Sequence, residues 1–320
     1  MTMEKRKNEP KPALKKKTSA RADFQKNLPL LLLTLPGLAY LVINNYLPMM
    51  GIFIAFKQIN YAKGIFGSDW CGFENFHFLF ATDAAFVMIR NTVLYNLVFI
   101  LLGTVLAIAL AILMNEIVKY ACSKFIQASL ILPNLVSIVI VSYIVYAFLS
   151  PENGLLNAII TRCGGEAVSW YTEEKWWPLI LVIVQMWKTA GYSSIVYIAC
   201  ISGIDPSLYE AARIDGAGKW KQITTITLPL LRPMVTIMLL MSCGRIFASD
   251  FGLFYQVPQN SGALFNVTQT IDTYVFRGLM QDGDIGMSSA AGLFQSVVGF
   301  VLVMGANAIV RKNDNENALF

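Results

Sequence analysis

Residues 205 to 233 read Asp205-Pro206-Ser207-Leu208-Tyr209-Glu210-Ala211-Ala212-Arg213-Ile214-Asp215-Gly216-Ala217-Gly218-Lys219-Trp220-Lys221-Gln222-Ile223-Thr224-Thr225-Ile226-Thr227-Leu228-Pro229-Leu230-Leu231-Arg232-Pro233. The stretch is polar and basic, yet a long apolar segment flanks it on each side. Asp205 followed by Pro206 reads as a helix N-cap and first helical residue. Leu208, Ala211 and Ala212 give the short helix a smooth face that another backbone can approach. Gly216 permits a sharp turn that a residue with a Cβ would resist. A second short helix follows and is expected to stop before Pro229. The product is a helix-turn-helix knob at a membrane surface, shaped to sit in a partner's groove.

Working outward, the chain has the composition of a membrane protein: 56% hydrophobic and 14% charged residues, against about 45–50% and about 25% in soluble domains. Asn27–Phe56, Asn91–Asn115, Phe125–Pro151 and Ile285–Val310 contain no charge. Each exceeds the roughly 20 residues a helix needs to cross a bilayer. Two more spans carry interruptions: Trp176–Ile204 holds Lys188, and Pro233 to about Phe254 holds Arg245 and Asp250. The expectation is an all-α membrane protein with six transmembrane helices. A closed barrel is excluded because the apolar runs are too long and do not alternate.

Lysine and arginine set the sidedness. Nine lie in residues 1–27, and Lys119, Lys124, Arg213, Lys219, Lys221, Arg232, Arg311 and Lys312 share their side of the membrane if six spans are counted. The opposite side receives Lys57, Lys63, Arg162, Lys175 and Arg277. A bias of 17 to 5 places both termini, and the knob, in the cytoplasm. The tail 1–27 has no aromatic interleaving. It reads as a solvated topogenic segment touching anionic lipid, not as a nucleic-acid module. The apolar run after it is too long for a cleaved signal peptide and no small-x-small site follows, so it is a retained first span.

Other chemistry is not supported. Cys71, Cys122, Cys163, Cys200 and Cys243 form no CxxC pair and no metal spacing; Cys71 and Cys163 fall outside, where pairing is open but not demanded. His77, the single histidine, sits in the aromatic run Phe73–Phe80 and reads as a packed loop residue. There is no GxxxxGK[ST], so Gly218-Lys219 is not a phosphate loop. There is also no HExxH and no credible nucleophile–base pair. No catalytic or metal site is expected.

The order Glu210-Ala211-Ala212, three residues, Gly216, nine residues, Ile226-Thr227-Leu228-Pro229 resembles the EAA loop of permease subunits in binding-protein-dependent ABC importers of type I, MalF-like in kind. The bland alternative is an amphipathic surface helix of some other multi-span protein. Further segments resemble sugar permeases, and more narrowly their LplB/YtcP oligosaccharide branch. These are Tyr46–Gln58, Gly64–Phe76 (with Trp70-Cys71-Gly72 in place of the usual Trp-Val-Gly), Arg90-Asn91-Thr92, Ser150–Asn157, Asp250–Phe254, Asp272–Arg277 and Gly292–Gly299. The resemblance implies that Glu210, Ala211, Ala212, Asp215, Gly216 and Pro229 couple to an ATPase. It implies a type I importer permease fold in the plasma membrane, organised as basic tail 1–27, first span and first outer loop 28–85, permease core 86–310 with the EAA loop at 205–233, and tail 311–320. It implies partners: a second permease, as a heterodimer, ATP-binding cassette subunits carrying ATP and Mg, an extracytoplasmic solute-binding lipoprotein, and membrane lipid. The chain itself would hold no cofactor and would not be an enzyme.

A sugar pathway needs hydrogen-bonding groups beside flat aromatic faces. At about 1.5 Å per residue, Lys188 sits some 18 Å below Trp176, and Arg245 about 18 Å from Pro233, with Asp250 higher. Lys188, Arg245 and Asp250 are thus placed to line one cavity with Trp187, Tyr192 and Tyr197. The alternative is a structural ion pair, Lys188 or Arg245 with Asp250, among interfacial aromatics. Gly103, Ala107 and Ala111 on span two, and Gly292 and Ser296 on span six, form small-residue stripes expected to pack within the subunit. The rival functions are a permease for another solute class and a secondary transporter. The latter should show several carboxylates inside spans, where Asp250 stands alone.

Overall fold

The computed structural model describes residues 20–77, 83–117 and 123–313. Most of the basic tail, Lys119, Cys122, part of the aromatic run Phe73–Phe80 and the end of the C-terminal tail lie outside the described residues. The chain divides into two compact units, Met1–Gly51 and Ile52–Phe320. The first holds helix α1 (Ala20–Leu41) and a π-turn, Val42–Tyr46. It carries Pro29 and Pro36 in its interior. Leu30, Leu33, Leu35, Leu38 and Ile43 are all exposed, so the helix is apolar around its whole circumference, as suits a lipid-facing span.

The second unit opens with the end of the first span and the loop that follows it. A two-residue ladder, β1 (Lys57–Gln58) with β2 (Asp69–Trp70), pairs antiparallel with Lys57 opposite Trp70. Lys57 is buried; its Nζ donates to the carbonyls of Ile65 and Phe66 at 3.1 and 2.9 Å and lies over the Trp70 ring. The Lys63 ammonium hydrogen-bonds Asp69 at 2.8 Å and holds its carboxyl below the usual range. Asn75 Nδ2 donates to the carbonyls of Ala55 and Lys57, and Tyr61 OH donates to the Gly283 carbonyl. These bonds tie the loop into the second unit.

The helices of 9 or more residues in this unit are α2 (Asp83–Ile117), α3 (Ser123–Leu135), α4 (Ile138–Leu149), α5 (Trp177–Ser202), α6 (Pro206–Ile214), α7 (Leu228–Cys243) and α8 (Ile285–Asn313). α2 packs along α5. Ala107 and Ala111 are buried against Tyr197, Ile201 and Leu231, so the stripe on span two serves packing within the chain. A second cluster joins Tyr95, Val141, Trp177, Leu181, Leu253 and Phe254. Inside a bilayer such contacts gain dispersion energy and not hydrophobic transfer energy, because lipid is as apolar as the side chains. The stripe on span six behaves differently. Gly292 and Ser296 are exposed on α8, and an added Cβ at Gly292 meets no atom within 4 Å. On that helix it is Gly299 that packs closely, against the Gly244 carbonyl.

Arg90-Asn91-Thr92 tie α2 to the segment before α8. Arg90 Nη2 and Asn91 Nδ2 donate to the Asn266 carbonyl, and the Ile271 amide donates to Thr92 Oγ1. The four described cysteines, Cys71, Cys163, Cys200 and Cys243, are free thiols.

Two spans depart from the sequence expectation. Five helical segments are long and apolar enough to cross a membrane: Asn27–Phe56, Ala84–Glu116, Glu174–Ser202, Lys219–Cys243 and Ile285–Lys312. The sixth is a broken pair, Phe125–Leu135 and Ile138–Leu149, bent by 93°. Charge-free length alone cannot reveal such a break. The span expected over Pro233–Phe254 instead starts at Lys219 and ends at Cys243, so Arg245 and Asp250 lie beyond the helix.

Candidate functional site

The knob is built almost wholly from local bonds. Asp205 Oδ1 accepts from the Ser207 amide at 2.9 Å, capping α6. That bond holds the Asp205 carboxyl below its ordinary range. At the other end the Ala217 amide donates to Ala212 O at 2.8 Å and the Gly216 amide to Arg213 O at 3.1 Å. These are the 6→1 and 5→2 bonds of a Schellman motif. Gly216 has φ +77°, and a Cβ there would meet no atom within 4 Å. Glycine is therefore required by the left-handed backbone and not by crowding.

The second helix corrects the expectation of a stop before Pro229. It runs from Lys219 through a π-turn, Ile223–Thr227, into α7. Widening one turn before Pro229 accommodates its missing N–H and its ring without ending the helix. Three contacts brace the knob: Tyr209 OH with Thr227 Oγ1 at 2.9 Å, Gln222 Nε2 to Ala217 O at 2.8 Å, and Lys219 Nζ to Glu116 Oε2 at 2.7 Å. Gln222 is buried, while Glu210, Ala211, Asp215 and Pro229 are exposed and Ala212 is half-buried. No residue of α6 is buried. Ile214 is 86% and Trp220 76% exposed. An isoleucine and a tryptophan so exposed beside a short amphipathic helix are anchors for another surface. Trp220 stands out within a basic run and was a readable signal. Glu116, 103 residues from Lys219, carries none.

The second candidate site is a cavity of about 740 Å³ between α2, α5, α7 and the stretch after α7, within the roughly 300–1,000 Å³ of small-molecule sites. Tyr192, Tyr197, Arg245 and Asp250 line it, with Asn96, Gln185 and Ser249. Trp187 and Lys188 are not among its lining residues. Lys188 Nζ instead donates to the carbonyls of Val136 at 2.6 Å and Asn134 at 3.2 Å, at the break between α3 and α4. A broken helix leaves its last carbonyls without partners, and an ammonium is a natural cap for them. Nearby, an added Cβ on Gly191 would collide with the Leu130 carbonyl, so α5 and α3 touch backbone to backbone. The structural ion pair is also absent: Lys63–Asp69 and Lys219–Glu116 are the salt bridges among the described residues.

The stretch Gly244–Asp250 is irregular yet firmly held. Asn96 Nδ2 donates to the carbonyls of Ile246 and Ala248 at 3.0 and 3.1 Å, and Gln295 Nε2 to that of Phe247 at 2.7 Å. The Ser249 amide and hydroxyl both donate to Asp272 Oδ2 at 2.7 Å. Asp250 Oδ1 caps the helix Phe251–Gln256 through the Leu253 amide. Sequence reading missed Asn96 and Gln295, whose roles depend on carbonyls up to 152 residues away, and Asp272, whose carboxylate accepts from Ser249.

Long apolar helices, a sharply bent helix pair, a cavity lined by both polar and apolar side chains and an exposed helix-turn-helix fit a membrane transport subunit. The chain belongs to the family of binding-protein-dependent transport system inner membrane components, whose model matches residues 100–314. The polygalacturonan/rhamnogalacturonan transport system permease protein YteP of Bacillus subtilis (strain 168) is 34% identical over 90% of this chain and 89% of its own length. Protein LplB of the same organism is 33% identical over 98% of each. A solved bacterial ABC transporter involved in import of the acidic polysaccharide alginate superposes with a TM-score of 0.82 at 33% identity, over 91% of this chain and 98% of that one. A bacterial alginate ABC transporter solved in complex with an alginate pentasaccharide-bound periplasmic protein gives a TM-score of 0.81 at 33% identity, over 92% of this chain and 97% of that one.

Proposed function

We propose that this chain is a transmembrane subunit of an ATP-driven importer that carries oligosaccharides across the plasma membrane. Both termini and the Asp205–Pro233 knob face the cytoplasm. There Glu210, Ala211, Ala212, Asp215, Gly216 and Pro229 engage an ATP-binding cassette subunit that holds ATP and Mg. A second, related permease completes the pathway, and an extracytoplasmic solute-binding lipoprotein delivers the saccharide. The cavity lined by Tyr192, Tyr197, Arg245 and Asp250 is this subunit's share of the route. Trp187 and Lys188 act as structural supports beside it.

One observation carries the reading. A short capped helix with every side chain accessible, flanked by exposed Ile214 and Trp220, is braced to α2 and α7. Such a lever has little use without a partner on it. The saccharide assignment is supported by the named cargo of the relatives and by tyrosines beside polar groups in the cavity. The test is co-purification of the full chain with an ATPase subunit from its own membranes. The wild type should bring the ATPase down, and E210K should lose it while inserting normally. Labelling of a cysteine at position 214 by an impermeant reagent applied from outside would overturn the reading.

A further inference from the structure

We infer that the saccharide moved through the cavity is acidic, bearing carboxylates as uronates do, and that Arg245 receives one of those carboxylates; the inference rests on the oligosaccharide reading above. The first observation is depth. Asn96 lies 12 residues inside the span that starts at Ala84, and Gln295 10 residues inside the one that starts at Ile285. At about 1.5 Å per residue these are some 18 and 15 Å in from the helix ends. Both side chains hold carbonyls of residues 246–248. The non-helical stretch carrying Arg245 is therefore pinned at membrane depth, where irregular backbone is tolerated only inside protein or along a wet cavity.

The second observation is charge. Arg245 and Asp250 are the charged groups among the lining residues. No hydrogen bond or ion pair engages the Arg245 guanidinium among the described residues, and the side chain is exposed to the cavity. Asp250 is committed by one oxygen to the Leu253 amide and forms no salt bridge with Arg245. A guanidinium that bonds no carboxylate, in a wall whose one carboxylate is turned to a helix cap, is suited to an incoming anion. Its planar fork matches a carboxylate with two parallel bonds. Tyr192 in the same wall supplies an aromatic face for the ring.

The test uses the intact transporter in its own cells. Uptake is measured for trisaccharides containing galacturonate, mannuronate or glucuronate, each beside its carboxyl-reduced counterpart and beside neutral oligosaccharides. Wild type should favour at least one acidic member over its reduced partner. Loss of a charge-assisted contact is worth about 10- to 100-fold, so R245Q should shrink that preference by this factor. R245K, which keeps the charge but not the fork, should retain part of it. Membrane levels of both variants are compared by immunoblot, and R245K carries the test if R245Q fails to insert. Equal or better uptake of the reduced partners by wild type, or an unchanged preference in both variants, overturns the inference while the oligosaccharide reading stands. If no saccharide in the panel is taken up, the oligosaccharide reading falls and the inference with it.

Discussion

The knob at Asp205–Pro233 and the stretch Gly244–Asp250 lie 11 residues apart along the chain, yet they are held by opposite means. The knob is fixed mostly by bonds spanning two to five residues: the Asp205 cap, the Schellman pair and the Gln222 amide. The cavity stretch is fixed by Asn96, Asp272 and Gln295, from 23 to 152 residues away. The first is a preformed rigid body that can be pushed as a unit. The second takes its shape from the surrounding bundle, so any change in how the helices pack reaches it directly. On the proposed function, the first serves as the lever and the second as the wall that meets the saccharide.

That contrast can be broken at several points. The largest effect is expected for G216P. Proline forbids φ +77° and removes the amide bonded to Arg213, costing about 3 kcal/mol or more, so ATPase co-purification should fall about 100-fold with normal insertion. Next is the pair N96A and Q295A, which strips partners from three carbonyls. At about 1–3 kcal/mol for each group left unsatisfied, transport should be lost and the melting temperature lowered, while the ATPase still co-purifies. If the double variant instead loses the ATPase, the two regions are not separable as argued. K188M should behave as a structural lesion of about 1–3 kcal/mol, seen as earlier melting in detergent. Unchanged melting with abolished uptake would return Lys188 to the pathway. E116Q, which removes an exposed ion pair, should shift ATPase binding by less than about 1 kcal/mol. Asp205 sets the pH response of the knob. Its folded pKa is depressed, so its cap is present above the ordinary carboxylate range and is lost only as pH falls through the lowered value. Wild-type ATPase association should therefore stay flat between about pH 5 and 8 and weaken only as pH falls below the ordinary carboxylate value of 3.8, and D205N, which cannot be protonated there, should remove that acid-side loss.

Much of the fold was legible because a bilayer imposes length. Five of six charge-free or nearly charge-free runs became single helices, though α7 starts earlier than Pro233 suggested. The break at Val136–Ser137 was not legible. Pro133 hints at it, but a proline inside a span kinks or passes depending on its neighbours. Gly191, which admits the Leu130 backbone, and Lys188, which caps the freed carbonyls, sit on another helix. Spacing singled out Glu210 to Gly216 as candidates, and charge and aromatic content singled out Tyr192, Tyr197, Arg245 and Asp250, which line the cavity. Trp187 and Lys188 shared those signals but do not line that cavity, because a charged residue in a span reports a need for a partner without naming it.

What the amino-acid order determined by itself was the capped helix, the left-handed turn at Gly216 and the apolar lengths. Each is decided within a turn or two, or by the thickness of a membrane. Only the tertiary structure decided where α7 ends, which lysine is spent on carbonyls and which arginine is left facing a cavity. Backbone carbonyls carry no side-chain signature, so the partners of Asn96, Lys188 and Gln295 exist only once distant helices are packed together.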